Sequence, residues 1–267
     1  MAKVLGESGR YVTEEAAKQS RRITLRAVGV MAGFGFIEGY VVASLIPFGL
    51  LPTWGRASVA FGIVPCAWLL GKHEVKKLGA LFKQREAMRR GVQGEAIVGR
   101  ILADFPDEFC VINDVTTPFG NLDHVVVGPT GVFVLDSKSW RGVVSADGKG
   151  ELLLNGQTTD KPHVRQFVGR MLGVRDRVRV LAPGLDPFYQ GLFVFTAARV
   201  DAKWGSTGNV HCVRDDQLHD YIVEKDFGTR LRTGEVERIA QAFLGLAHMD
   251  REFGHRERAA AKPLTRP

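Results

Sequence analysis

Cysteine is scarce in this chain and badly placed for either of its structural uses. The three, Cys66, Cys110 and Cys212, are far apart in the 267 residues and fit no zinc-ligand spacing. They read as reduced, buried thiols of an intracellular protein. The glycine patterns of nucleotide and acyl chemistry are missing too. No G-x-x-x-x-G-K-[S/T], no G-x-G-x-x-G and no G-x-S-x-G occurs. That removes the simplest routes to an NTPase, a dinucleotide enzyme and a lipase-type hydrolase. No internal repeat is visible. Acidic residues are outnumbered, 29 against 36 basic ones, and the net charge of +7 favours an anionic partner, nucleic acid or a phospholipid surface.

Charge is nearly absent from two stretches near the N-terminus. Between Ala27 and Ile46 only Glu38 is charged, and between Thr53 and Gly71 only Arg56. Each is close to the about 20 residues that cross a bilayer. Pro47, Gly49 and Pro52 fall between them, and Trp54 and Trp68 sit near opposite ends of the second run, as interfacial aromatics do. The expectation is a transmembrane hairpin over residues 27–71, with a pair of buried soluble helices as the alternative. Lys18, Arg21, Arg22 and Arg26 precede it and Lys72, Lys76 and Lys77 follow it. By the positive-inside rule both ends then face the cytoplasm, which makes this a multi-pass protein of the cell membrane. Gly29 with Gly33, and Gly35 with Gly39, have the spacing that lets helices approach closely, within the hairpin or between chains of an oligomer.

The rest divides by composition. Residues 1–26 are a polar leader in which Thr13 caps a short helix. Residues 72–90 form a basic helix leaving the membrane, punctuated by Gly91. A new helix follows over Val92–Asp104, with Ile97, Val98, Ile101 and Leu102 as its apolar stripe and Glu95 off it. Residues 91–249 hold a soluble domain, with strands expected at Phe109–Val115, Gly142–Ser145, Glu151–Leu154, Gln190–Thr196 and Val210–Val213. Helices are expected at Lys161–Leu181, Asp215–Val223 and Gly234–Met249. Residues 250–267, charged and without an apolar stripe, read as a disordered tail.

The chemistry is concentrated between Asn121 and Gly142, NLDHVVVGPTGVFVLDSKSWRG. Two apolar, β-branched strands flank the turn Pro129-Thr130-Gly131. A hairpin brings Asp123, at the start of the first strand, beside Asp136, at the end of the second. Lys138, two residues on, projects to the same face as Asp136. Two carboxylates and an ammonium then share one edge of an apolar sheet. Paired carboxylates hold a hard divalent cation, and the lysine can position water or stabilise a transition state. Spacing alone leaves open a hairpin with charged ends and an ordinary surface pair.

This block resembles the signature of the nuclease-related domain (NERD) family, a branch of the PD-(D/E)XK nuclease superfamily. The resemblance rests on Asp123-His124 before an apolar strand, the Gly-Pro-x-Gly turn at 128–131, Asp136-x-Lys138 and Trp140-x-Gly142. Upstream it includes Gly94-Glu95, and downstream Pro162 and Gln166. Leu122 replaces the superfamily's leading proline, and Asp136 stands where glutamate is more usual. The resemblance implies an α/β, restriction-endonuclease-like core with a central mixed sheet flanked by helices. It also implies Mg²⁺- or Mn²⁺-dependent hydrolysis of phosphodiester bonds, with DNA the expected substrate. Asp123, Asp136 and Glu95, with the Ser137 carbonyl, are the expected metal ligands, and Lys138 and Gln166 complete the catalytic set. Lys161, Arg165 and Arg170 on the basic 161–181 helix are the expected phosphate contacts. The rival is a module that keeps the fold, has no activity, and binds nucleic acid or recruits a partner at the membrane.

Overall fold

Between residues 110 and 138 the valine-rich runs form three consecutive strands, Cys110–Thr117 (β2), Gly120–Gly128 (β3) and Gly131–Lys138 (β4). Both pairs are antiparallel, and β3 and β4 meet at Gly128 and Gly131 as the expected hairpin. The computed structural model of the chain describes residues 1–6, 10–45, 64–202, 210–228 and 230–249. Two units are distinguished, one of Val12–Arg89 and the other of Met1–Tyr11 with Arg90–Pro267.

The second unit is built on a six-stranded mixed sheet. Lys3–Leu5 (β1) pairs in parallel with β2 at one edge, Tyr189–Phe195 (β8) pairs in parallel with β4, and Val210–Arg214 (β10) closes the other edge. Gly142–Ala146 (β5), Leu152–Leu154 (β6), Gln157–Thr158 (β7) and Ala198–Val200 (β9) make a smaller four-stranded sheet. The main sheet is covered on both faces, which is why β4 and β8 read as nearly continuous apolar runs. On one face His163–Leu181 (α3) contributes Val164, Phe167, Met171, Val174 and Val178, and Thr233–Met249 (α4) contributes Ile239 and Phe243. On the other face lie Val98, Leu102, Phe105, Leu218 and Ile222. The mixed sheet with flanking helices is the expected α/β architecture. Cys110 and Cys212 are free and buried, and burial pushes both thiols up, Cys212 to about 12.

Several local expectations are corrected. Val98 and Leu102 belong to one helix of 40 residues, Val64–Ala103 (α2), which runs through Gly91 without a break. A single interior glycine costs only about 1 kcal/mol, too little to stop a helix whose end is packed against a sheet. The expected helix at Asp215–Val223 is a 3₁₀ turn, Asp215–Gln217, followed by a π turn, Asp220–Glu224. Tertiary bonds set that shape: Thr130 donates its hydroxyl to the Ile222 carbonyl at 2.8 Å, and Tyr221 donates to Gln190 Oε1 at 2.8 Å. Glu151 is no strand residue but a cap, its carboxylate accepting the Val164 and Arg165 N–H groups at the start of α3, both at 2.9 Å.

The Val12–Arg89 unit contains most of Arg10–Leu45 (α1), a helix of 36 residues that begins earlier than the expected Thr13 cap, together with the first part of α2. Among the described residues no helix is long and apolar enough to cross a membrane, so the transmembrane hairpin is not supported here. Residues 46–63, with the expected turn and much of the second span, lie outside the described residues, as does the 250–267 tail. Leu25, Val28, Met31 and Phe36 on α1 are exposed, and no atom lies within 4 Å of where a Cβ would stand at Gly29, Gly33 or Gly35.

The Glu151 cap generates the first prediction. A carboxylate on two orphan N–H groups at a helix N-terminus is worth about 1–2 kcal/mol. Glu151→Ala is expected to lower the melting temperature by about 2–8 °C, read by thermal denaturation, with Glu151→Gln intermediate. Equal melting of all three would remove the cap from the account.

Candidate active site

The two strands of the hairpin do not stay together. β3 and β4 pair from Gly128 and Gly131 as far as His124 and Leu135, whereas β4 goes on beside β8 to Lys138 opposite Phe195. Where the strands part, the Ser137 N–H loses its backbone partner, and the Asp123 side chain supplies one: Ser137 N donates to Asp123 Oδ2 at 2.7 Å. The fork therefore sets a carboxylate between two diverging strands. Asp136 and Lys138 lie beyond it on the face toward α3. Lys138 Nζ donates to Asp136 Oδ1, and Arg170 of α3 donates to Asp136 Oδ2 at 3.0 Å and to the Asn121 carbonyl at 2.7 Å.

Two further carboxylates come from other elements. Glu95, on α2, is only 8% exposed. It lies in line with Val98 and Leu102 rather than off their stripe, which corrects the sequence expectation. Gly94 makes this possible, since a Cβ there would stand 3.2 Å from Thr196 Oγ1 and 3.3 Å from Ser139 Cβ. Asp114 interrupts the β2–β3 ladder with φ 54°, a left-handed conformation that aspartate tolerates better than most residues, and accepts the Asn121 amide at 2.8 Å.

The electrostatics follow from this crowding. Burial, then the charges of Asp123, Asp114 and Asp136, push Glu95 up to about 8. Burial and Asp136 push Asp123 up to about 7. Burial works to raise Asp136 as well, but Lys138 and Arg170 outweigh it and hold that carboxyl below its usual range. Carboxylates that ionise reluctantly when left to each other are a fitting set for a divalent cation, which would supply the missing positive charge. Among the described residues, three or more metal-type ligands close to within 4.8 Å only at His219, Asp220 and Glu224, on the π turn. The oxygens of Glu95, Asp123 and Asp136 are spread wider, Asp136 being held by its two cationic partners.

The other expected site residues are placed as follows. Gln166 is exposed on α3, one turn before Arg170, and shares an open recess with Arg165 and Arg170. Lys161 is exposed just before α3. His124 is fully buried, its Nδ1 2.8 Å from Asn113 Oδ1, and burial lowers it to about 4, so it is neutral and part of the core. His163 packs its ring edge-on against Trp140 and lies 3.5 Å from Asp160. Sequence reasoning missed Asp114 and the Arg170 clamp on Asp136. The only signal for Asp114 was the polar Asn113-Asp114 pair in an otherwise apolar strand.

A forked mixed sheet bearing an aspartate at the fork, a D-x-K on the next strand and a buried glutamate from a covering helix is the arrangement that the sequence resemblance implies. Comparison with known families agrees. Residues 90–196 match the family model of the nuclease-related domain, which belongs to the PD-(D/E)XK-like nuclease group. An uncharacterized protein of Bacillus anthracis is 32% identical over 78 residues, 27% of this chain and 37% of that protein, so the match spans well under half of that relative. No solved structure matches.

The raised carboxyls predict a pH dependence of stability. Between the ordinary carboxylate range and about pH 8 the folded chain holds protons on Glu95 and Asp123 that the unfolded chain has lost. These two carboxyls make stability fall as pH rises through that window, and below about pH 6.5 they outnumber the opposing effect of buried His124, which only the unfolded chain protonates there. Asp136, ionised in both states there, adds no slope. Melting temperature in chelator is expected to drop from about pH 5 to about pH 9, and Glu95→Gln to flatten the curve. A profile that rises over this range would contradict the burial of these charges.

Proposed function

We propose that the chain is a membrane-tethered nuclease that hydrolyses phosphodiester bonds, with DNA as substrate and Mg²⁺ or Mn²⁺ as cofactor. The observation that supports this is the fork between β3 and β4, where Asp123 accepts the Ser137 N–H and Asp136 pairs with Lys138, with the buried Glu95 of α2 close enough to feel the charges of both aspartates. Glu95, Asp123, Asp136 and the Ser137 carbonyl would hold the ion, which when bound activates water and neutralises charge on a phosphoryl group. Lys138 shares the Asp136 face and would orient the attacking water or stabilise charge developing on the phosphate. Arg170 neutralises Asp136 in the resting site and can trade that contact for a phosphate. Lys161, Arg165 and the other arginines of α3 would hold the backbone without regard to sequence, and Gln166 would contact the substrate beside them.

Besides the apolar runs of the sequence, one observation supports tethering and another fixes the topology a tether would have. Apolar side chains on α1 are exposed. And β1, ahead of α1, lies in the same sheet as the strands that follow α2, so the chain must return to the side of a bilayer from which it left. The basic flanks put that side in the cytoplasm. The open glycine strip on α1 would serve self-association of such spans.

Two outcomes test this reading. Asp123→Ala and Asp136→Ala are expected to lose divalent-metal affinity together with cleavage, because each removes an oxygen ligand. Lys138→Ala is expected to keep the metal and lose about 10²–10⁴-fold in turnover. Calorimetry with Mn²⁺ beside cleavage of linear, circular and single-stranded DNA and RNA reads both. A chain that binds nucleic acid but neither metal nor cuts would be the inactive binding module instead. For the tether, reporters fused at either end are expected to report the cytoplasm, and alkaline carbonate to leave the chain in the membrane; extraction as soluble monomer would refute it.

A further inference from the structure

The turn between β2 and β3 carries an aromatic ring that the catalytic reading does not use. Thr117 pins this turn, donating its hydroxyl to the Gly120 carbonyl at 2.6 Å and accepting the Phe119 N–H at 3.2 Å. Phe119 at its tip is 40% exposed. Part of the ring is seated on α3, where a Cβ at Gly173 would fall 2.9 Å from Cδ1 and Cε1. The Arg177 guanidinium carbon lies over the ring, 5.8 Å from its centroid, the cation–π contact that an incoming base would share or displace.

The ring also lines a broad, open recess of about 530 Å³ shared with Arg165, Gln166, Gly169 and Arg170. Gly169, one helical turn before Gly173, leaves that strip of α3 bare, with no atom within 4 Å of where its Cβ would stand. Arg170 runs from the recess to Asp136. An aromatic face, a flat glycine strip and three arginines are therefore gathered one guanidinium away from the catalytic carboxylates.

We infer that Phe119 is a stacking platform for an unpaired nucleobase, and that the substrate bound at this site is single-stranded nucleic acid. The inference rests on the nuclease reading and narrows it. A base within a duplex has both faces covered by its neighbours and can offer none to Phe119, whereas an unpaired base offers a whole π-face. Aromatic platforms edged by arginine are the usual means of holding single strands without reading their sequence. The glycine strip leaves room for the flat base beside the ring, and Arg165, which lines the same recess, can meet a neighbouring phosphate.

The test is binding by the detergent-solubilised full chain of a fluorescein-labelled oligothymidylate and of a duplex of equal length, in chelator, by anisotropy. Phe119→Ala is expected to weaken single-strand binding about tenfold or more, the usual effect of removing one stacking partner, and to change duplex binding little. Phe119→Leu, which keeps an apolar seat on Gly173, should lose as much. Phe119→Trp should bind at least as well as wild type and show quenched emission with the oligothymidylate. Gly169→Leu, which fills the recess and favours the helix, should weaken single-strand binding as well. Unchanged affinity in Phe119→Ala and Phe119→Leu, with wild type still binding and cutting, would overturn the platform and leave the nuclease reading standing. A wild-type chain that neither binds nor cuts any nucleic acid would overturn both.

Discussion

The hydrogen bond from the Ser137 N–H to the Asp123 carboxylate, at 2.7 Å, is the constraint on which the site depends. A strand that leaves its neighbour must find other partners for its backbone, because a buried unpaired N–H costs about 1–3 kcal/mol. β4 solves half of this by pairing with β8 and the other half by taking an acidic side chain into the gap. The same divergence that requires the aspartate opens the sheet at its C-terminal end, and Asp136 and Lys138 project into that opening. Structure and chemistry therefore share one residue. An asparagine at 123 could repair the backbone but would remove a charge, whereas an alanine would lose both.

Charge balance decides how the site rests. Asp114, Asp123, Asp136 and Glu95 come from β2, β3, β4 and α2, and Lys138 and Arg170 are the cations paired with Asp136. The lysine and arginine spend themselves on that one carboxylate, which ionises readily, while Glu95 and Asp123 are left to share the excess and are pushed up. The site is thus short of positive charge at Asp123 and Glu95 and well supplied at Asp136. In the proposed function a divalent cation would relieve the crowded carboxylates, and a polyanionic substrate would draw Arg170 away from Asp136.

What the sequence made legible were the features fixed by local periodicity. The β3–β4 hairpin follows from the continuous β-branched runs on either side of Gly-Pro-Thr-Gly, and the shared face of Asp136 and Lys138 from a period of two. Strands β8 and β10 and helices α3 and α4 were readable for the same reason. What depends on contacts between distant residues was not. The phase of α2 is not legible, because Ile97, Val98, Ile101 and Leu102 suggest a stripe from within the helix, whereas the sheet selects the line of Glu95, Val98 and Leu102. Arg170 reads as one more arginine on a basic helix until the fold sets it beside a residue 34 positions earlier. Asp114 is ordinary in sequence and unusual only in its backbone. The 215–224 segment has helical composition, but the bonds through Thr130 and Gln190 draw it into tighter and wider turns.

The edge strand β1 has a consequence for how the molecule is made. Lys3–Leu5 pair with Cys110–Ile112, and Asn113 donates its amide to the Gly6 carbonyl at 3.4 Å across a separation of 107 residues. The residues of β1 therefore wait for partners that are synthesised 107 positions later. Everything from α1 to the end of α2 must be synthesised while that segment waits with its backbone unpaired. Closing so long a loop is entropically little worse than closing one of half the length, by about 0.6 kcal/mol, so the delay is one of time more than of free energy. A chain released before β2 emerges has no sheet for β1 to join.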